Sequence, residues 1–342
     1  MTDKEYQGVA VFIEQEAGKV EHVALELLGA GRTLADKLGV KLSGILVGSD
    51  VKHLTQTLFE HGADIVYVVD DPVYAQYRSE AYQHAVVHVV NKYKPEILFF
   101  GATIIGRDLA SIVATTLKTG LTADCTGLDI NEETKLLEAS RPAMGGNIMA
   151  TILCKTHRPQ MSSVRPRVMK ALKPVPGRTG KVIEEKVPLD EAKLRTKVIE
   201  LVKEISTELS IADADIIVSG GKGLQDEVGF KMIRDLAEVL GAAVGASRAA
   251  VESGWISHSH QVGQTGTTVA PKLYFAIGIS GAVQHVVGME NAEVVVAINK
   301  DPEAKIFESC TYGIVGDAFE IVPKLIEEFK KTVEEGGVVA NG

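Results

Sequence analysis

Hydroxyls, amides, one guanidinium and one imidazole recur at the ends of apolar runs in the last third of the chain. They fall in Ser247-Arg248-Ala249, Gln261-Val262-Gly263-Gln264-Thr265-Gly266, Gly278-Ile279-Ser280-Gly281-Ala282-Val283-Gln284-His285 and Ala297-Ile298-Asn299. Upstream, Gly220-Gly221-Lys222-Gly223 closes the apolar stretch Ala214 to Ser219. Glycines after a buried strand let backbone N–H groups and the next helix start approach a phosphate without Cβ clashes. The turn alone is a weak signal, since it matches neither Gly-Lys-Ser/Thr nor Gly-x-Gly-x-x-Gly, and an ordinary tight βα turn reads the same way. Successive strand ends bearing Gly, Ser or Asn describe one edge of a sheet, where a dinucleotide lies in open α/β folds. The chemistry these residues offer is cofactor binding.

Plainer roles compete for several of them. Arg248 has Glu252 one helical turn on as a surface partner, and His285 could cap the end of a helix. His258 and His260 lack a neighbouring carboxylate or thiol, so they make a poor metal site, and no metal centre is expected. Trp255 packs beneath a loop as readily as it stacks on a ring. Arg107-Asp108 suits a helix start or a subunit contact. No nucleophile, base and orienting group assemble from the motifs; a nucleotide-binding α/β enzyme using His285 as base is the alternative reading.

The elements that position these residues alternate strand and helix. Val9 to Ile13, Leu42 to Val47, Ile65 to Val69 and Ile97 to Phe100 read as strands apolar on both faces, as in a parallel sheet covered by helices. Helices are predicted over Val20 to Leu38 with Gly39 as stop, Val51 to His61, Ser79 to Tyr93 and Arg107 to Leu117. From Gly120 to Met169 the pattern is irregular. Thr126 to Ile130, Leu136 to Ser140, Ile148 to Leu153 and Gln160 to Val164 are short extended pieces expected at a sheet edge or reaching another subunit. Proline, glycine and charge mark a linker over about 174–193. Alternation resumes with amphipathic Lys197 to Leu209, strand Ala214 to Ser219, helix Glu227 to Leu240, strand Lys272 to Ile277, helix Gly281 to Val287 and strand Val294 to Ile298. The domains expected are 1–190 and 191–335, followed by a flexible tail over 336–342.

A chain of 342 residues, 45% hydrophobic, can bury two cores. Its formal charge of −9 repels nucleic acid and anionic membranes, and no apolar run reaches the roughly 20 residues that span a bilayer. Cys125, Cys154 and Cys310 are far apart, which fits a reducing cytoplasm. The start, Met1-Thr2-Asp3-Lys4-Glu5, has neither an export nor a transit pattern, so a cytoplasmic bacterial protein is expected.

The four motifs that opened this section, the first extended back through Gly245-Ala246 and the last on through Lys300-Asp301-Pro302-Glu303-Ala304, closely resemble in order and spacing the electron transfer flavoprotein family, α subunit. Gly101-Ala102-Thr103, Gly106-Arg107-Asp108-Leu109-Ala110, Gly120-Leu121-Thr122-Ala123-Asp124-Cys125 and Arg141-Pro142-Ala143-Met144-Gly145-Gly146-Asn147 carry the resemblance through the first half. It implies an α/β chain with an N-terminal parallel-sheet βαβ domain of the adenine nucleotide alpha-hydrolase-like kind. A C-terminal doubly wound, Rossmann-like domain would hold one FAD. Lys222, Ser247 and the turn containing Gly221 and Gly223 would follow the phosphates or ribityl chain. Asn299 and Asp317, with Ala318, would hold the adenosine end. Arg248, Thr265 and His285 would face the isoalloxazine ring, within walls made by Val262, Gly263, Gln264, Gly278, Ser280, Gly281, Ala282, Val283 and Gln284. The family pattern has arginine where this chain has Lys222, which keeps the charge but not the planar fork.

The resemblance also implies a heterodimer with a β subunit that holds AMP or a second FAD. Electrons would pass to or from flavoprotein dehydrogenases, typically acyl-CoA dehydrogenases. Members with a second FAD oxidise NADH and split its electrons between acceptors such as ferredoxin or flavodoxin. Independently of the family, a guanidinium and an imidazole beside a flavin ring would stabilise negative charge on it, each hydrogen bond to a charged group contributing roughly 1.5–3 kcal/mol. Thr265 adds a hydroxyl able to donate or accept at the ring. A positively biased pocket is therefore expected, on a second domain mobile about the linker.

Overall fold

The computed structural model describes residues 5–143, 148–200, 209–212 and 214–334. Its contacts divide the chain into two units, Met1–Val202 and Lys203–Gly342.

The first unit starts with β1 (Val9–Ile13), a ribbon of β2 (Gln15–Glu16) and β3 (Lys19–Val20), and α1 (His22–Leu38). Then come β4 (Leu42–Gly48), α2 (Thr55–Glu60), β5 (Ile65–Asp70), α3 (Ser79–Tyr93), β6 (Ile97–Gly101) and α4 (Ile104–Leu117). All residues of β1, β4 and β6 are buried, the two-faced burial that their apolar runs predicted. Gly39 ends α1 at φ 66°, a left-handed conformation that glycine adopts without strain. Thr103 opens α4 by accepting the Gly106 N–H.

The irregular segment resolves into β7 (Leu121–Cys125), β8 (Gly127–Ile130), β9 (Leu137–Ala143), β10 (Ile148–Ile152) and β11 (Gln160–Val164). Strands β8, β9 and β10 form a small antiparallel sheet. Strand β11 departs from its expected place at an edge or in another subunit: it lies inside the large parallel sheet, between β6 and β7. All five of its residues, including Gln160, Ser162 and Ser163, are buried. The polar side chains disguised an interior strand.

The expected linker also differs. Residues Lys181–Glu184 form β12, which pairs with β5 as an edge of the large sheet. Beyond it Glu185 accepts from Lys92 at 2.8 Å and from Tyr93. The buried Tyr74 hydroxyl donates to the Val187 carbonyl at 2.9 Å, and the Arg195 N–H donates to Glu80 at 2.8 Å. The polar composition reflects a surface strand and its anchors, and the stretch belongs to the first unit. Residues 201–208 of the expected amphipathic segment, and the tail 336–342, lie outside the described residues.

The second unit comprises β13 (Ile216–Gly220), α5 (Glu227–Leu240), β14 (Ala243–Ala246), α6 (Arg248–Glu252), β15 (Leu273–Ile277), α7 (Val283–Met289), β16 (Val294–Asn299), β17 (Tyr312–Val315) and α8 (Ala318–Glu334). Its sheet is parallel, in the order β14-β13-β15-β16-β17. The order reverses between β13 and β15, which opens a crevice at their carboxyl ends. Asp226 caps α5 on the Gly229 N–H at 2.9 Å, and Phe230, Ile233, Leu236 and Ala237 turn its apolar face into the core. Trp255 packs against Phe230 with ring centroids 6.1 Å apart, the packing role rather than the stacking one. Among the described residues no helix is long and apolar enough to cross a membrane, and no cluster of three metal-ligating side chains occurs.

Candidate functional site

At the carboxyl end of the second sheet lies a cleft of about 910 Å³, at the upper end of ordinary small-molecule pockets. The turn after β13 contributes Lys222 and Gly223, α6 and the residue before it Ser247 and Arg248, and the following loop Val262, Gly263 and Thr265. The β15–α7 loop adds Gly278, Ser280, Ala282, Gln284 and His285; the end of β16 adds Asn299, and the start of α8 adds Asp317 and Ala318. Fifteen of the expected site residues thus meet in one wall.

Gly221, Gln264, Gly281 and Val283 are not in that wall. Gly221 donates to the Ile277 carbonyl at 2.9 Å, and a Cβ there would sit 2.2 Å from the Gly278 oxygen. Gly281, at φ +84°, would carry a Cβ 2.1 Å from the Ile306 nitrogen. Gln264 donates its N–H to the Gln284 carbonyl at 2.7 Å, while Val283 is the exposed first residue of α7. Gly221, Gln264 and Gly281 hold loops against loops. Gly223 also spends its N–H on the Gly278 carbonyl, at 3.0 Å. The glycine turn is therefore glycine because two loop backbones touch, and two of its N–H groups are committed within the protein.

The wall includes residues not expected to bind the cofactor, some inside the quoted motifs and some, such as Gln225, Glu252 and Lys305, outside them. Gln225, Ala249, Glu252, Gln261, Ile279 and Ile298 join it, as does the run Lys300, Asp301, Glu303, Ala304 and Lys305. All of the last run but Lys305 sat inside a quoted motif, so the signal was available. Its carboxylates correct the expected positive bias. Lys222, Arg248, Lys300 and Lys305 share the wall with Glu252, Asp301, Glu303 and Asp317, and the formal charges balance.

Several side chains in this wall are already engaged. Arg248 Nε lies 2.8 Å from Glu252, with both side chains mostly exposed; the surface pairing is present, and Arg248 lines the cleft as well. Asn299 donates its amide to the Ile279 carbonyl at 3.0 Å and accepts the Asp301 N–H at 3.0 Å, so it joins two loops. Asp317 accepts the Phe319 N–H at 2.8 Å at the head of α8. Gln261 Nε2 donates to Thr265 Oγ1 at 3.0 Å.

His285 is buried, with Nε2 3.0 Å from the Tyr274 hydroxyl. Burial lowers its pKa to about 4, against a weaker opposing pull from the Val262 backbone; the imidazole is neutral. A group that takes up a proton only near pH 4 is a poor general base at neutral pH. That weighs against the enzyme alternative. Two buried polar atoms of this wall, Ser247 Oγ and His285 Nδ1, make no hydrogen bond of good geometry. The N–H groups of Ser280, Gly281 and Ala282 take no partner among the described residues.

A model of the electron transfer flavoprotein domain matches residues 9–190, and one of the electron transfer flavoprotein FAD-binding domain matches residues 210–290. The chain is 53% identical over 327 residues to the electron transfer flavoprotein subunit alpha of Thermoanaerobacterium thermosaccharolyticum, covering 96% of this chain and 99% of that one. It is 50% identical over 329 residues to the subunit alpha of Megasphaera elsdenii, covering 96% and 97%. Protein FixB of Clostridium saccharobutylicum is 49% identical over 333 residues, covering 97% and 99%.

Proposed function

The chain belongs to the electron transfer flavoprotein family, as an alpha subunit, and on that premise we propose a role for each side of the cleft in holding FAD. The observation that carries this reading is the pair of buried atoms without a hydrogen bond of good geometry, Ser247 Oγ and His285 Nδ1, in the wall of one cleft. Buried polar groups in native proteins are almost always bonded, so a polar ligand fits there. When bound, FAD supplies reversible acceptance of one or two electrons, the chemistry of a carrier passing electrons between flavoproteins.

Lys222 and Ser247 bind along the phosphates and ribityl chain, and the open N–H groups of Ser280, Gly281 and Ala282 suit the same anionic stretch. Asp317 addresses the adenosine end, with Asn299 holding the loops around it. Arg248, Thr265 and His285 face the ring. Arg248 is balanced by Glu252, so its field is weaker than that of a lone guanidinium. His285 orients through an N–H rather than through charge.

The family implies a heterodimer with a β subunit and flavoprotein partners. For the finer assignment, acyl-CoA dehydrogenases are the partners, with the β subunit holding AMP. In the second version it holds a second FAD, and NADH and ferredoxin or flavodoxin take part. Exposed Ile148, Met149 and Ile152 on β10, at 54%, 57% and 43%, support a β-subunit contact at that strand of the first unit. The FAD unit moves about a pivot C-terminal to Arg195, in the cytoplasm of a bacterium.

Counting flavin released per purified heterodimer tests the assignment. One FAD per dimer supports the simple carrier and two the NADH-splitting form, while a colourless dimer would overturn FAD binding. Small-angle scattering that gave one rigid shape in every redox and partner state would remove the pivot.

A further inference from the structure

Behind the cleft wall, Ser219 on β13 and Tyr274 on β15 are both fully buried, at 0% exposure. Tyr274 sits opposite Ile217 in the parallel pairing of the two strands. Its hydroxyl reaches His285 Nε2 at 3.0 Å, with the two ring centroids 6.2 Å apart. None of the roles assigned above uses this contact.

Burial raises the Tyr274 pKa, and the Ser219 hydroxyl opposes that only in part. Tyr274 therefore keeps its proton at any working pH, and a buried O–H must place it on an acceptor. Two neighbours offer a lone pair, Ser219 Oγ and an imidazole nitrogen, and of these His285 Nε2 is the one at hydrogen-bond distance with good geometry, 3.0 Å away. A neutral imidazole has one N–H and one acceptor nitrogen, and the bond at one nitrogen decides what the other can do. If Nε2 accepts, Nδ1 carries the hydrogen. Nδ1 is also the atom left without a bond of good geometry, the Val262 backbone acting on the ring only weakly, in a residue that lines the cleft.

We propose that Tyr274 is a positioning residue which, by donating to His285 Nε2, holds the imidazole in its Nδ1–H form and so presents a neutral N–H donor to the bound cofactor. This rests on the reading that His285 addresses FAD. Donor character comes from the tautomer and needs no added proton. The site can thus favour an electron-rich ring atom without burying a cation, which would carry a large desolvation cost.

The experiment is nitrogen NMR on the heterodimer with 15N-histidine in this chain, using His285→Gln to assign the resonance. In the native chain Nε2 should show the acceptor-type shift and Nδ1 the N–H type. In Tyr274→Phe the two should exchange or average, and FAD affinity, read from flavin fluorescence on release, should fall about five- to tenfold. A native chain with the hydrogen on Nε2, or a Tyr274→Phe chain with an unchanged tautomer, overturns the proposal. If Tyr274→Phe does not fold, the native shifts decide alone. The tautomer result and the affinity result are separable. A tautomer that responds to Tyr274→Phe, with FAD bound at native affinity in both Tyr274→Phe and His285→Gln, keeps the Tyr274 donation, but removes His285 as a cofactor contact and with it the donor role proposed here.

Discussion

Gln261 Nε2 donates to Thr265 Oγ1 across 3.0 Å, from a side chain only 3% exposed to one on the surface of the cleft. A hydroxyl that accepts from behind has its own hydrogen free to point forward. Gln261→Leu keeps the volume and removes the donor. FAD affinity should fall about threefold to fivefold, since one neutral hydrogen bond is worth roughly 1 kcal/mol, with little change in thermal midpoint. Fluorescence titration of the cofactor-free heterodimer with FAD checks this.

Gly281 and Gly254 both have positive φ, +84° and +77°, but a Cβ at Gly281 meets the Ile306 nitrogen at 2.1 Å while one at Gly254 meets nothing within 4 Å. Gly281→Ala should cost about 3 kcal/mol or more because a loop must move, and Gly254→Ala about 1 kcal/mol from backbone strain alone. Chemical denaturation of the two variants gives the comparison. Equal losses would mean that the loop contact is soft.

Glu14 is 8% exposed, accepts from Thr103 Oγ1 at 2.7 Å, and burial raises its pKa to about 7. The folded chain then binds more protons than the unfolded one between pH 4.5 and 7, so this group's contribution to stability is present at pH 4.5 and lost as pH rises through 7. Glu14→Gln should match the native first unit near pH 4.5 and exceed it above pH 7 by about 1–3 kcal/mol. Urea unfolding at the two pH values measures the difference.

His285 gives the opposite slope in the second unit. Its folded pKa near 4 lies below its ordinary value of 6.5, so the unfolded chain takes up the proton first as pH falls. Stability is level above pH 6.5 and declines from there to pH 4 by up to about 3 kcal/mol. His285→Gln should flatten that segment of the curve for the cofactor-free chain. Unchanged curvature would place the titration elsewhere.

Met149 on β10 is 57% exposed. Met149→Glu puts a charge on a proposed apolar contact, and the heterodimer dissociation constant should rise at least about tenfold. Analytical ultracentrifugation reads it, and no change would exclude this face from the interface.

Local signals carried much of this molecule. The helix Ser79–Tyr93 and the strand Gln160–Val164 have the bounds their residues predicted, because apolar periodicity and breakers act over a few neighbours. Most of the residues that line the cleft were legible too, since strand ends in a parallel sheet must converge on one edge.

The sequence by itself determined two α/β halves, the apolar strands that build them, and the polar loops that ring one cleft. Only the tertiary structure decided that β11 lies inside its sheet, that the polar stretch after it contains an edge strand, and that Gly221 and Gly281 leave no room for a side chain because they pack against neighbouring loops. It also decided the charge balance of the cleft and the partner of His285. The reason is physical: strand order, backbone approach and the burial of an imidazole depend on residues dozens of positions apart, and no local pattern records which of them will touch.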